Sequence, residues 1–454
     1  MKACFFPLTM IFALLLLAAP TWAATDETLR LTLPEAVTLA ITEHPDVALA
    51  RQQEQSAAIT VEAARGRFLP SLQASGRGAE NYDRQTIGGD SGDSRTASLS
   101  LSSTLNLFNG FADAASLDSS REELDAAAED LLRQRQTVAF AAASSFIAVL
   151  TDQELVRVAE ENLTSQTLLL EQIEAFHRAG SRAVTDLYRQ QAATAQAEFD
   201  LLDARRNVEV ASLQLVQSLG RTPPTTVEVL PPDPLGLVDG LQDADLEQAW
   251  QQALAARPDL RARSRQIESA RERVREARAG YLPSVDLFAE AGSSYNSLTD
   301  GRNFKDQMAD DNFGAAVGVA VSIPIFDRDQ TRTSVAQARV GQSSAATQLA
   351  KLRQQVGVEV GEALADYRKA EKQQAVAALQ LTYAREALAA TEARYQVGAA
   401  TWVELSDARS TFVQARADEV RARYAILAQG LAVGFARGDL GQMLAQLSPQ
   451  EKTS

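Results

Sequence analysis

After an apolar N-terminal segment, the prolines of this chain fall at Pro34, Pro45 and Pro70, in a cluster from Pro223 to Pro234, and then at Pro258, Pro283, Pro324 and Pro449. Proline ends a helix interior because it has no N–H to donate and its ring clashes with the preceding turn. The intervals from Pro70 to Pro223 and from Pro324 to Pro449 therefore permit helices longer than any compact domain holds. In the second interval apolar residues recur at Leu349, Leu352, Val356, Val360, Ala363, Tyr367 and Ala370, and onward to Leu388, mostly in steps of three and four. That is a coiled-coil seam, and its alanines let helices approach closely. The spacing predicts one helix from about Asp329 to Tyr395, on the order of 100 Å long at about 1.5 Å per residue. A matching helix is expected from about Phe111 to Phe176.

The match reflects an internal duplication. Laid with a constant shift and no gap, Leu33, Ala36, Pro45, Asp46, Gln53, Ala64, Leu69, Pro70 and Ser71 recur as Leu246, Ala249, Pro258, Asp259, Gln266, Ala277, Leu282, Pro283 and Ser284. Paired prolines at both ends in one register are hard to obtain by chance. Downstream, Leu107-Phe108-Asn109-Gly110 pairs with Ile325-Phe326-Asp327-Arg328, and Gly180, Asp186 and Leu187 pair with Gly398, Glu404 and Leu405. Each unit reads as a short helix (Leu33 to Glu43; Leu246 to Ala256) and a longer one opening at Pro-Asp (Asp46 to Arg67; Asp259 to Gly280). Two strands and two helices joined by a Gly-containing turn follow. The units span 24–221 and 244–447, with 222–243 as linker and 448–454 as tail.

The strands alternate. From Thr96 to Phe108, Ala97, Leu99, Leu101, Leu105 and Leu107 are separated by Ser, Thr and Asn. From Asn312 to Ile325, Phe313, Ala315, Val317, Val319, Val321 and Ile323 are separated mostly by Gly and Ala. One greasy face and one polar or small face suit a wall between lipid and a lumen. Ser71 to Tyr82 and Ser284 to Tyr295 are the expected hairpin partners, and the loops 83–95 and 296–311 are polar. Four strands cannot close a barrel, whose minimum is about eight, whereas three chains supply about twelve.

Met1 to Ala23 carries one charge, Lys2, an apolar run from Met10 to Pro20, and a small-residue exit, so 1–23 reads as a cleaved secretory signal peptide. Cys4, the only cysteine, leaves with it, so the mature chain holds no disulfide and no lipid-bearing cysteine. No later stretch approaches about 18 consecutive apolar residues, so a membrane would be crossed by strands. The net charge of -15 and pI near 4.8, without a basic block, argue against nucleic-acid binding. Gly89-Asp90-Ser91-Gly92 matches a serine-protease nucleophile motif, but the only histidines, His44 and His177, lie without protease context, and a lone Ser is not activated. Neither a phosphate-binding Gly loop nor a metal-ligand cluster appears, so no enzyme, cofactor or metal is expected.

Together these features resemble the TolC family of outer-membrane channel proteins over nearly the whole mature chain. The resemblance is carried by Leu33-Pro34-Glu35-Ala36-Val37 with Pro45-Asp46 and by the Leu-Pro-Ser before each first strand. It is carried further by the Leu107-to-Gly110 strand exit and the turns Ala179 to Asp186 and Tyr395 to Asp407. It implies a mainly α protein with a small β part: a homotrimer whose strands share a 12-stranded outer-membrane barrel and whose helices form a coiled-coil α-barrel across the periplasm. It implies docking to a periplasmic adaptor (membrane fusion) protein and an inner-membrane transporter of ABC or RND type, in type I secretion or efflux. The missing lipidation and the Val184-Thr185-Asp186 turn favour secretion over small-molecule efflux.

The resemblance also places an acidic periplasmic constriction at Glu404 and Asp407, about six carboxylates around a three-fold axis, which would concentrate cations. Residues in a first helical turn can equally be plain dipole complements. Gate contacts fall on Tyr395, Thr185 and Asp186, but the family's arginine position is Ala400, which leaves Arg182 or Arg178 on the facing turn as substitutes. A rival reading is a soluble periplasmic coiled-coil scaffold, which leaves the alternating strands unexplained; another is a secreted hydrolase acting through Ser91.

Overall fold

The computed structural model describes residues 29–82, 94–223, 225–230, 245–298 and 303–445. The expected signal peptide, the Gly89-to-Gly92 motif, most of the linker and the 448–454 tail lie outside them. In chain order the elements are β1 (Leu29–Leu31), α1 (Leu33–Glu43), α2 (Pro45–Gly66), β2 (Ser71–Asn81), β3 (Ser94–Asn109), α3 (Ala112–Arg178), α4 (Val184–Ser218) and β4 (Val227–Val229). The second unit repeats the helix–helix–strand–strand–helix–helix order with α5 (Leu246–Ala256), α6 (Pro258–Arg278), β5 (Ser284–Asn296), β6 (Gly314–Ser322), α8 (Gln330–Gln396) and α9 (Trp402–Arg437), and adds α7 (Phe304–Asp306) between its strands and α10 (Leu440–Ala445) at its end.

The long helices are 67 residues each, about 100 Å at 1.5 Å per residue. They run the length of the molecule, and shorter helices pair with them end to end. Towards the strands α2, α3, α6 and α8 lie side by side, and beyond the middle α4, α3, α9 and α8 do so. The joints need backbones in close approach. Gly220, at φ 75°, has no room for a Cβ, which would lie 2.7 Å from the His44 Cα at the start of α2. Gly438, at φ 84° where α9 ends, abuts Arg257 before α6 in the same way. The duplication thus extends to its joints.

The main core lies at this middle level, where α1 and β4 pack on α3, α4 and α9 through Leu33, Phe146, Val149, Leu215, Leu219 and Leu431. A second core seats α5 on α8 and α9 through Ala249, Ala253, Val356, Val360 and Tyr367. α3 contains one stretch apolar and long enough to cross a membrane by composition. Its Val138, Ala142, Phe146 and Leu150 are instead the centre of the main core, so it is a core helix.

β2, β3, β5 and β6 form one antiparallel sheet in that order, with β2 and β6 at its edges. The register puts Ala74, Leu101, Ala291 and Ala315 in one cross-strand row and Leu105, Leu287 and Val319 in another. The opposite face carries Ser75, Ser100, Gly292 and Gly314, then Gln73, Ser102, Glu290 and Ala316. The apolar face is open: Val317 is 78% exposed and Leu99 58%. A sheet with one exposed apolar face and two unpaired edges is unfinished in water and complete in a closed, lipid-facing wall.

Some expectations shift. β6 ends at Ser322 rather than Ile325, because Pro324 cannot donate to the ladder. The segment 296–311, read as a loop, contains α7 and a π turn over Gln307–Asp311. β1 and β4 add a small parallel pair that alternation did not announce.

Candidate functional site

The end of the molecule farthest from the sheet consists of two helix hairpins, α3–α4 and α8–α9, lying side by side. Both turns close alike: Gly180 N–H donates to His177 O and Ser181 N–H to Phe176 O, while Gly398 N–H donates to Tyr395 O and Ala399 N–H to Arg394 O. These bonds satisfy the last carbonyls of each long helix. Leu169, Ile173, Tyr395, Ala400 and Leu405 form a small core between the hairpins.

Polar contacts lock the pair. Arg409 donates from Nη1 to the Ser165 carbonyl (3.1 Å) and from Nη2 to Glu392 (2.8 Å). Gln190, nearly fully buried, donates to the Gln166 carbonyl (3.0 Å) and accepts from Trp402 Nε1 (3.0 Å). Leu187, Gln190, Thr194, Ala197 and Leu201 recur at seam spacing, so a polar residue in an α4 seam was the sequence signal for Gln190. Neither Arg409 nor Gln190 is among the site residues expected from sequence.

The expected gate residues are partly gathered. Arg182 sits on Tyr395: its Nη2 donates to the Tyr395 carbonyl at 3.2 Å, and its guanidinium lies 4.3 Å from the ring centroid. Arg178 instead donates to Glu174 O within its own helix. Tyr395 is 4% exposed, and its hydroxyl has no hydrogen-bond partner among the described residues. Burial pushes its phenol above the usual range, against the pull of the Arg182 charge, and Asp186 is near enough to add to the rise. Thr185 is exposed in the first turn of α4 and makes no side-chain hydrogen bond among the described residues.

Glu404 and Asp407 lie one turn apart at the start of α9 but differ in engagement. Thr401 and Glu404 form a capping box: Thr401 N–H and Oγ1–H donate to Glu404 Oε2 (2.7 and 2.9 Å), and Glu404 N–H donates back to Thr401 Oγ1 (3.2 Å). The Thr401 backbone bond, then its hydroxyl, hold the Glu404 carboxyl below the usual carboxylate range. Arg394 lies 3.7 Å from its other oxygen. Asp407 is exposed and makes no side-chain hydrogen bond or ion pair among the described residues. Of the two expected constriction residues, one is therefore structurally committed and one free. No group of three or more His, Cys, Asp or Glu capable of holding a metal occurs among the described residues.

The outer membrane efflux protein family model matches residues 36–221 and 249–438, the two repeated units. The outer membrane protein TolC of Escherichia coli is 26% identical over 421 residues, covering 88% of this chain and 80% of TolC. The protein CyaE of Bordetella pertussis is 26% identical over 426 residues, covering 93% and 87%. The crystal structure of the outer membrane protein VceC of Vibrio cholerae superposes with a TM-score of 0.75 at 18% identity, covering 89% of this chain and 96% of VceC. The fold is that of these channels, long helices carrying one four-stranded antiparallel sheet per chain. This chain belongs to the outer membrane efflux protein family.

Proposed function

We propose that this chain is the outer-membrane channel of a tripartite type I secretion or efflux system, a passive exit duct rather than an enzyme. The observation that carries it is the open sheet. Its four strands are apolar on one exposed face, unpaired at both edges, and fused to helices about 100 Å long. Three copies pairing β6 of one with β2 of the next close a wall of about twelve strands in the outer membrane. The helices then continue as a tunnel into the periplasm. A periplasmic adaptor and an inner-membrane transporter, of ABC or RND type, complete the system and supply its energy; the relative TolC, an outer membrane protein, supports the location.

The hairpin tips form the gated entrance. Arg182 takes the role of the arginine missing at position 400 by tying the first hairpin to Tyr395 of the second. Asp407 supplies the free negative charge of the constriction, and Glu404 acts mainly as the α9 cap. Free carboxylates around a narrow axis attract cations and repel anions.

The test is the reversal potential of the purified channel in a planar bilayer under a KCl gradient. Asp407→Asn is expected to lower cation selectivity strongly and Glu404→Gln weakly. Equal selectivity in wild type and the Glu404→Gln/Asp407→Asn variant would remove the constriction role. Arg182→Ala is expected to raise the open fraction of single channels, and an unchanged open fraction would dismiss the latch.

A further inference from the structure

Each of the four strand–helix junctions leaves an aromatic ring exposed: Phe68 at 48%, Phe111 at 63%, Tyr281 at 56% and Phe326 at 83%. A girdle of rings at one end of an apolar band marks headgroup depth. Since the helices leave the barrel here, this girdle lies at the periplasmic leaflet. At the second pair of junctions the end of α6 touches the start of α8, where the Thr331 hydroxyl donates to the Gly280 carbonyl at 3.4 Å.

Two arginines flank that contact, Arg278 at the end of α6 and Arg328 in the turn before α8. Both are exposed, and neither has a side-chain hydrogen bond or ion pair among the described residues. Their neighbours are engaged. Arg275 pairs with Glu272 (2.5 Å), Arg332 with Asp329 (3.1 Å), and Asp327 accepts the Thr331 N–H (2.8 Å). The two unpaired guanidiniums are thus the free charges at the girdle.

The duplication adds an independent observation. Arg328 and Asp329 occupy the left-handed region (φ 55° and 63°), as do their counterparts Gly110 and Phe111 (φ 68° and 69°). The first unit makes this turn with a glycine, which has no Cβ to strain it. The second unit makes the same turn with an arginine, against its backbone preference.

We propose that Arg278 and Arg328 hold the phosphate of an anionic phospholipid in the periplasmic leaflet of the outer membrane. The acyl chains lie along the apolar row of Val319, Val321, Ile323 and Ile325 that descends to Phe326. Guanidinium forks match phosphate oxygens, and their aliphatic stems tolerate the apolar boundary. The inference rests on the outer-membrane channel reading.

The mature trimer would be reconstituted into vesicles of equal phosphatidylglycerol and phosphatidylcholine. It would then be released in mild detergent and its retained lipid counted by native mass spectrometry. Wild type is expected to enrich phosphatidylglycerol. Arg278→Gln/Arg328→Gln should lose enrichment by roughly fivefold per arginine, whereas Arg278→Lys/Arg328→Lys, which keeps the charge but not the fork, should keep only part of it. Arg328→Gly should lose about fivefold while raising the melting midpoint in lipid-free detergent, a rise that a merely structural arginine would not give. Intact variant trimers that enrich phosphatidylglycerol like wild type would overturn the proposal. So would displacement of the lipid by inorganic phosphate alone, which would make this a free-anion site. A wild-type chain that never enters vesicles would instead overturn the channel reading, and this inference with it.

Discussion

Arg257→Ala tests how the helix joint of the second unit is held. Arg257 is 2% exposed at the point where α9 ends against α6. Its guanidinium grips Asp259 with two bonds (3.1 and 2.7 Å), reaches Glu359 (2.5 Å), and donates to the Ala436 carbonyl (3.1 Å). Glu359 is half exposed and re-solvates on truncation, so its share is small. Asp259 is 20% exposed and keeps only the Leu260 N–H (3.0 Å) and Arg133 at 3.7 Å. Removing one side of a buried pair costs about 3–5 kcal/mol. Because Arg133 and the Leu260 amide remain, the lower end applies, about 3 kcal/mol.

The pH dependence has a definite sign. Burial raises the Asp259 pKa, but the Arg257 bonds and charge outweigh it and hold the carboxyl below the usual range. A depressed folded value stabilises fully above the unfolded value of about 4 and is lost as pH falls through the folded one. The gap between wild type and Arg257→Ala should therefore narrow below about pH 4. The assay is denaturant unfolding of the detergent-solubilised protein by far-UV circular dichroism. A loss under about 1 kcal/mol would refute the reasoning. An Arg257→Ala/Asp259→Ala double variant no more stable than the single would refute it as well.

Gly438→Ala places a Cβ 2.9 Å from the Arg257 Cγ in a left-handed residue, and should lower stability by at least 1–2 kcal/mol in thermal melts. Val319→Arg, on the exposed apolar row, should cost about 2–4 kcal/mol and reduce the trimer recovered from membranes, whereas Ser102→Arg on the opposite face should be tolerated. Thr401→Ala removes the α9 capping box and should cost about 1 kcal/mol. Because the Glu404 carboxyl is held low, its part of that cap should persist above its unfolded value near pH 4.5 and disappear as pH falls below it, measured as helix content against pH.

The periodic and repeated features were legible in sequence. The 67-residue helices, the short helices at Leu33–Glu43 and Leu246–Ala256, and the alternating strands follow from spacing that recurs over many residues. The three-residue strands β1 and β4 are too short to show a period, and only tertiary packing orders them. Arg257, after Ala255-Ala256, reads as an exposed helix end; its burial depends on α9 arriving from 179 positions later. At the tips, Thr401-Trp402-Val403-Glu404 carries the capping pattern in plain sequence. The meeting of Arg182 with Tyr395 is expected only from the family resemblance, because it requires two separately closed hairpins to pack laterally.

The most direct test of the account is the behaviour of the purified mature chain in a planar bilayer. The chain is expected to be a detergent-requiring trimer that inserts and gives stable, cation-selective single-channel steps. A chain that stays soluble and monomeric without detergent, and remains electrically silent, would contradict it and leave a periplasmic scaffold as the better description.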